Sequence, residues 1–120
     1  MQHDARAYLS DIIESCEAIA AAVRDLDLAG YEGNRLVRSS VEREFSIIGE
    51  AIAALDRVAP DVFKAITKAR RIVDFRNQLP HEYPTVDDAI VWAIVENDVP
   101  VLHTECAVLI QRVTPPDDVM

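Results

Sequence analysis

The sequence predicts an all-α fold, an antiparallel bundle of four main helices with one short extra helix. Two observations carry that prediction. Apolar residues recur at gaps of three and four over two long stretches, 4–29 and 34–58, as they do on helices with one buried stripe. The connections at 30–33 and around Pro60 are short, and long helices joined by a short connection pack as antiparallel neighbours.

The first helix is expected over 4–29. Its stripe is Ala5, Tyr8, Leu9, Ile12, Cys16, Ile19, Ala20, Val23 and Leu26, with Asp11, Glu14, Arg24 and Asp25 mostly off it. Gly30 stands where a C-terminal stop belongs, so 30–33 reads as a connection. The second helix is expected over 34–58, with Val37, Val41, Phe45, Ile48, Ile52 and Leu55 in a rhythm close to a heptad. A short helix over 61–70 and a further helical stretch over 71–79 follow. Pro80 should end or kink the latter, because its ring collides with the carbonyl four residues back. The last helix is expected over 85–112, opened by Thr85 as cap and by Asp87 and Asp88 in its first turn. Pro100 should kink or split it. Its run 89–95 has no polar face, and a helix apolar all round is buried on more than one side. In so small a domain a second chain is expected to cover one face, giving a homodimer. The organisation is one domain over 1–113 and a flexible tail over 114–120.

Composition narrows the class. Half of the 120 residues are apolar and three are glycine, which argues against disorder. No basic stretch followed by an apolar one opens the chain, and the run of seven apolar residues at 89–95 falls far short of the roughly 20 that a membrane span needs. A soluble, cytoplasmic domain with no membrane partner is expected. Cys16 and Cys106 have no ligand-like spacing. They allow a disulfide, but two buried, reduced thiols fit an intracellular chain better. His3, His81 and His103 are scattered and no His-Glu-x-x-His or Cys-x-x-Cys motif occurs, so no metal site and no cofactor are expected.

The segment 71–83 carries the chemistry. Arg76 and His81 stand five residues apart, which on an uninterrupted helix turns them away from each other by ~140°. A break at Pro80 can re-aim His81 toward Arg76. Arg is a permanent planar cation able to clamp a phosphate, and His moves a proton near neutral pH. RNA supplies its own nucleophile, the 2′-OH. A ribonuclease therefore needs only a proton-transfer group, a stabiliser of the phosphorane charge and good positioning. Charge distribution agrees. The chain carries −9 overall, yet 57–81 holds Arg57, Lys64, Lys68, Arg70, Arg71 and Arg76 against Asp61 and Asp74. Lys68, Arg70 and Arg71 are the candidate RNA contacts of that basic patch.

Arg76-Asn77-x-x-x-His81-x-Tyr83 resembles the signature of the HepT toxin family of the HEPN superfamily. Val41 to Ala51, with Ile48-Gly49-Glu50-Ala51, resembles the family's second helix. Val86-Asp87, Val91-Trp92 and Asn97-Asp98-Val99-Pro100 also follow its style, so the likeness spans about 7–109. The resemblance implies a HEPN bundle acting as a homodimeric, metal-independent RNase, with Arg/His pairs from two chains facing a shared cleft. It assigns phosphate stabilisation to Arg76, proton transfer to His81 and orientation of the pair to Asn77. It also implies a cognate minimal nucleotidyltransferase antitoxin of the MntA type, which silences the toxin by transferring AMP to Tyr83. RNA is the implied substrate, and no DNA partner is implied. Two other readings stay open on the residues: a non-catalytic HEPN-type binding subunit of a nucleotidyltransferase complex, and a purely structural dimerising bundle.

Overall fold

The two apolar stripes and the apolar run near the C-terminus become three long helices. The structure, a computed structural model, describes residues 5–78 and 87–113, with the backbone alone at 76–78. Among the described residues the elements are α1 (Ala5–Ala22), α2 (Leu28–Glu32), α3 (Arg35–Val58), α4 (Pro60–Lys64), α5 (Ala69–Gln78) and α6 (Asp88–Val113), with no strand. α1 buries Leu9, Ile12, Cys16 and Ile19, and α3 buries Val41, Phe45, Ile48, Ile52 and Leu55. Burying one Leu or Ile side chain is worth roughly 1.5–3 kcal/mol, so this stripe pair supplies much of the fold's stability.

Side-chain neighbours fix the directions. Glu17 of α1 meets His103 of α6 at 3.0 Å, while Val23 and Leu26 share a groove with Trp92 and Val95. Advancing along α1 therefore means going back along α6, and the two are antiparallel. Arg38 near the start of α3 lies 3.9 Å from Asp88 at the start of α6, so those two helices begin at the same end of the bundle. α1 packs against both.

The link between α1 and α3 differs from expectation. α1 ends at Ala22, and Asp25 adopts a left-handed backbone (φ 66°) that turns the chain. An Asp takes this conformation at lower cost than most residues. Gly30 is not a helix stop but lies inside α2, where its N–H donates to the capping carboxylate of Asp27 at 2.8 Å. A Cβ at Gly30 would stand 3.1 Å from Leu26 Cδ2, so the glycine answers to close packing. The stretch 30–33 read as a connection is therefore mostly helical, and it buries Tyr31 completely. Asn34 caps α3 by accepting from the Val37 N–H.

The helix expected over 61–70 is shorter. α4 runs from Pro60, with proline where its missing N–H costs nothing, to Lys64. It stops because Thr67 gives its N–H to Glu105 of α6 and Lys68 turns left-handed (φ 62°). Residues 69 and 70 belong to α5. α6 is capped by Asp87, whose carboxylate accepts from the Ala89 and Ile90 N–H groups at 2.9 and 3.4 Å, two residues after the expected cap at Thr85. Pro100 does not split α6, which is continuous from Asp88 to Val113. The run 89–95 buries Val91, Trp92, Ile94 and Val95, and leaves Ala89, Ile90 and Ala93 exposed.

Candidate functional site

Two of the expected site residues, Arg76 and Asn77, belong to α5. Its first two turns place Ile72 and Val73 in the core, and the Phe75 ring stands edge-on to Phe45 of α3, with centroids 5.3 Å apart and planes at 87°. These contacts set the rotation of α5 about its own axis. Arg76 and Asn77 follow Phe75 directly and occupy the last turn of a helix that ends at Gln78. His81 and Tyr83 lie outside the described residues, as do Pro80, Thr85 and the tail over 114–120. The structure therefore brings Arg76 and Asn77 together on one helix turn.

The three basic residues at the start of α5 are not free cations. Arg70 bonds Asp56 of α3 at 3.0 Å and lays its guanidinium 4.9 Å from the centre of the Phe63 ring. Lys68 Nζ and Arg71 Nη2 converge on Asp98 of α6, at 3.7 and 4.0 Å from its two oxygens. Lys68 and Arg71 nonetheless keep about half of their side-chain surface in solvent, while Asp98 keeps 8 %. Beside them Thr67 donates its N–H to one oxygen of Glu105 (2.9 Å) and its hydroxyl to the other (2.5 Å). The linear charge count over 57–81 misses these acids, which come from α3 and α6.

A second polar cluster lies where α2, α3 and α6 meet. Tyr31 packs on Trp92 with ring centroids 5.4 Å apart, and its buried hydroxyl has no hydrogen-bond partner among the described residues. Burial pushes the Tyr31 phenol up from its ordinary range, with Glu42 and Asp88 adding to the rise. Burial also raises the Glu42 carboxyl, Asp88 raises it further, and Arg38 opposes both. Arg38 is tied to the Glu32 carbonyl as well as to Asp88.

Residues 12–109 match the family described as ribonuclease HepT-like. The chain belongs to that family. It is 31% identical to a candidate RNase of Methanocaldococcus jannaschii over 90% of its own length and 98% of the relative's. It is 30% identical to a probable ribonuclease HepT of Thermococcus cleftensis over 85% and 92% of the two chains. It is 24% identical to a candidate RNase of Caldanaerobacter subterraneus over 89% and 95%. No solved structure matches.

A groove in this HepT-like chain lies away from the described part of α5. It measures about 710 Å³ and lies between α1 and α6, lined by Ile19, Val23, Trp92 and Val99 among others, and none of the described side chains of α5 lines it. Cys16 and Cys106 are free and buried, and burial pushes both thiols up to about 12, so they stay protonated. Among the described residues no three His, Cys, Asp or Glu side chains stand close enough to hold a metal ion. No described helix is long and apolar enough to cross a membrane. Glu50 is exposed, and Trp92 is a core residue. Reading the sequence missed Asp98, Glu105 and Thr67 as partners. The only signal was Asp98 following Glu96 and Asn97 between the apolar runs 91–95 and 99–102 of one helix.

Proposed function

We propose that this protein is a metal-independent endoribonuclease, the toxin of a toxin–antitoxin module. RNA is cut by Arg76 and His81 in a cleft shared by two copies. Family membership supports a ribonuclease role, and one observation supports the part given to Arg76. Arg76 and Asn77 stand in the terminal turn of α5, a short helix whose rotation is fixed by Phe75 on Phe45, as a rigid phosphate clamp requires. In the proposed step the 2′-oxygen of the substrate attacks the adjacent phosphorus and the bond to the 5′-oxygen breaks. His81 takes part in moving the proton from the 2′-oxygen to the departing one. Arg76 stabilises the charge on the phosphoryl oxygens, and Asn77 orients the pair. The products are a 2′,3′-cyclic phosphate and a 5′-hydroxyl, and no metal-bound water is needed.

The homodimer is proposed through α6. Its outward face from Ile90 to Val108 presents Ala93, Asn97, Pro100, Val101 and Thr104, with the exposed Glu96 at its edge and Ile90, Val101 and Val108 each about half exposed. At ~1.5 Å per residue this face is roughly 27 Å long, a length suited to an interface between two helices. The cognate partner is a minimal nucleotidyltransferase antitoxin. The Tyr83 oxygen attacks the α-phosphorus of ATP, pyrophosphate leaves, and the AMP added beside His81 repels RNA by charge and bulk. Intact mass before and after incubation with that antitoxin and ATP reads this step.

The direct test is RNA cleavage in EDTA by the wild type, Arg76→Ala and His81→Ala. Cleavage by the wild type alone is expected. A wild type that cuts no RNA while remaining folded would instead favour the non-catalytic binding subunit. That reading draws on Lys68, Arg70 and Arg71 each having a carboxylate partner, which weakens the basic patch.

A further inference from the structure

Asp98 is hard to explain by stability. A carboxylate held at 8 % exposure has lost most of its hydration, which must be offset by short, well-aligned partners. Its two cations stand at 3.7 and 4.0 Å, beyond hydrogen-bond distance, and its Oδ2 accepts no hydrogen bond among the described residues. Well-packed apolar residues often do better at such a position. The partners are also unusual. Lys68 holds a left-handed backbone that lysine rarely adopts, immediately before the first residue of α5. Strained residues of this kind persist where the surroundings over-determine them, and they gather at functional sites. Here the surroundings are two acids of α6: Glu105 grips Thr67 by backbone and hydroxyl, and Asp98 faces Lys68 and Arg71. A charged clasp therefore joins the root of α5 to the middle of α6. The other end of the same ten-residue helix carries Arg76.

We propose that Asp98 is a positioning residue for RNA cleavage: it holds the root of α5 through Lys68 and Arg71, so that Arg76 and these two half-exposed cations meet the RNA backbone in one fixed arrangement. This rests on the ribonuclease reading above and adds a residue to it. Asp98 touches neither substrate nor reacting atoms. It acts by fixing where α5 starts, as Phe75 on Phe45 fixes how α5 is rotated. A carboxylate beside the first turn of α5 also stands where a helix favours negative charge. Lys68 and Arg71 each have donors left over for phosphate oxygens, so the clasp orders them without using them up.

The test compares the wild type with Asp98→Asn and Asp98→Glu in three readouts. Asp98→Asn keeps the shape and removes the charge. It is expected to melt within a few degrees of the wild type, because a poorly compensated buried charge has gone. Its kcat on RNA is expected to fall on the order of tenfold or more, with KM unchanged or lower, because a negative charge near the RNA has been removed. Amide hydrogen exchange over 69–75 should speed up about tenfold, with α1 and α3 unchanged. Asp98→Glu, able to span the 3.7 and 4.0 Å gaps, should recover most of the kcat. A merely structural role predicts a large drop in Tm in Asp98→Asn, with exchange faster in every helix, and that result would overturn the proposal. Wild-type kcat in Asp98→Asn would also overturn it. If the wild type itself cuts no RNA, the ribonuclease reading fails on its own. The exchange data then still decide the clasp, faster exchange confined to α5 supporting it and unchanged exchange overturning it.

Discussion

α3 and α5 lie side by side and are held by different forces. α3 is fixed by a continuous apolar stripe from Val41 to Leu55, every member of which is buried. α5 is ten residues long, and its described side chains give three small or aliphatic core residues, Ala69, Ile72 and Val73, one aromatic edge contact, and ion pairs to acids of α3 and α6. Apolar burial is non-directional and tolerates small shifts, whereas ion pairs and ring edges specify an orientation. Stability is thus concentrated in the long helices, and placement in the short helix that presents Arg76. An element kept by a few directional contacts can be mis-set without the protein unfolding.

Substitutions on the two sides of this boundary should separate stability from function. Phe45→Ala removes a fully buried ring and the partner of Phe75, and should cost about 3–5 kcal/mol. For a domain of this size the melting temperature should then drop by more than ~10 °C in calorimetry or circular dichroism. Phe75→Ala leaves the long-helix core intact and should cost roughly 1–3 kcal/mol. Its larger effect should be on cleavage and on hydrogen exchange confined to α5. Equal loss of protection in α1 and α3 would erase the proposed boundary. Arg70→Ala removes an exposed ion pair and a ring contact, so no more than about 1 kcal/mol is expected, with the difference shrinking in high salt.

The smallest effect concerns Glu42. Its carboxyl is raised in the folded chain by burial and by Asp88. A raised carboxyl binds its proton more tightly folded than unfolded. Its contribution to stability is therefore full below the ordinary carboxylate range and is lost as pH rises through the folded value. At neutral pH the ionised Glu42 is a small burden. Glu42→Gln should gain on the order of 1–2 °C in Tm at pH 7 relative to the wild type, and no gain should remain near pH 4. A gain that grows as pH falls would reverse the sign of this account.

How far the sequence reveals the molecule follows the same boundary. The stripes of α1 and α3 were legible because helical periodicity is local, and Val41, Phe45, Ile48, Ile52 and Leu55 are all buried as their spacing requires. The turn after α1 was not. Asp25 takes the left-handed position that glycine usually marks, while Gly30 serves packing against Leu26. The candidate Arg76 and Asn77 were legible as a motif, and the structure sets them in the last turn of α5. The clasp was invisible, because Thr67 and Glu105 are 38 residues apart and an acid in an apolar helix does not announce its partner. The basic patch looked stronger in the sequence than in space, since Asp56 and Asp98 belong to other helices.

The most direct measurement is the chemistry of the RNA ends left by the purified protein in EDTA, with Arg76→Ala and His81→Ala prepared alongside. The account predicts 2′,3′-cyclic phosphate and 5′-hydroxyl ends from the wild type, and no product from either folded variant. Ends bearing a 5′-phosphate, or the same product from all three proteins, would contradict it.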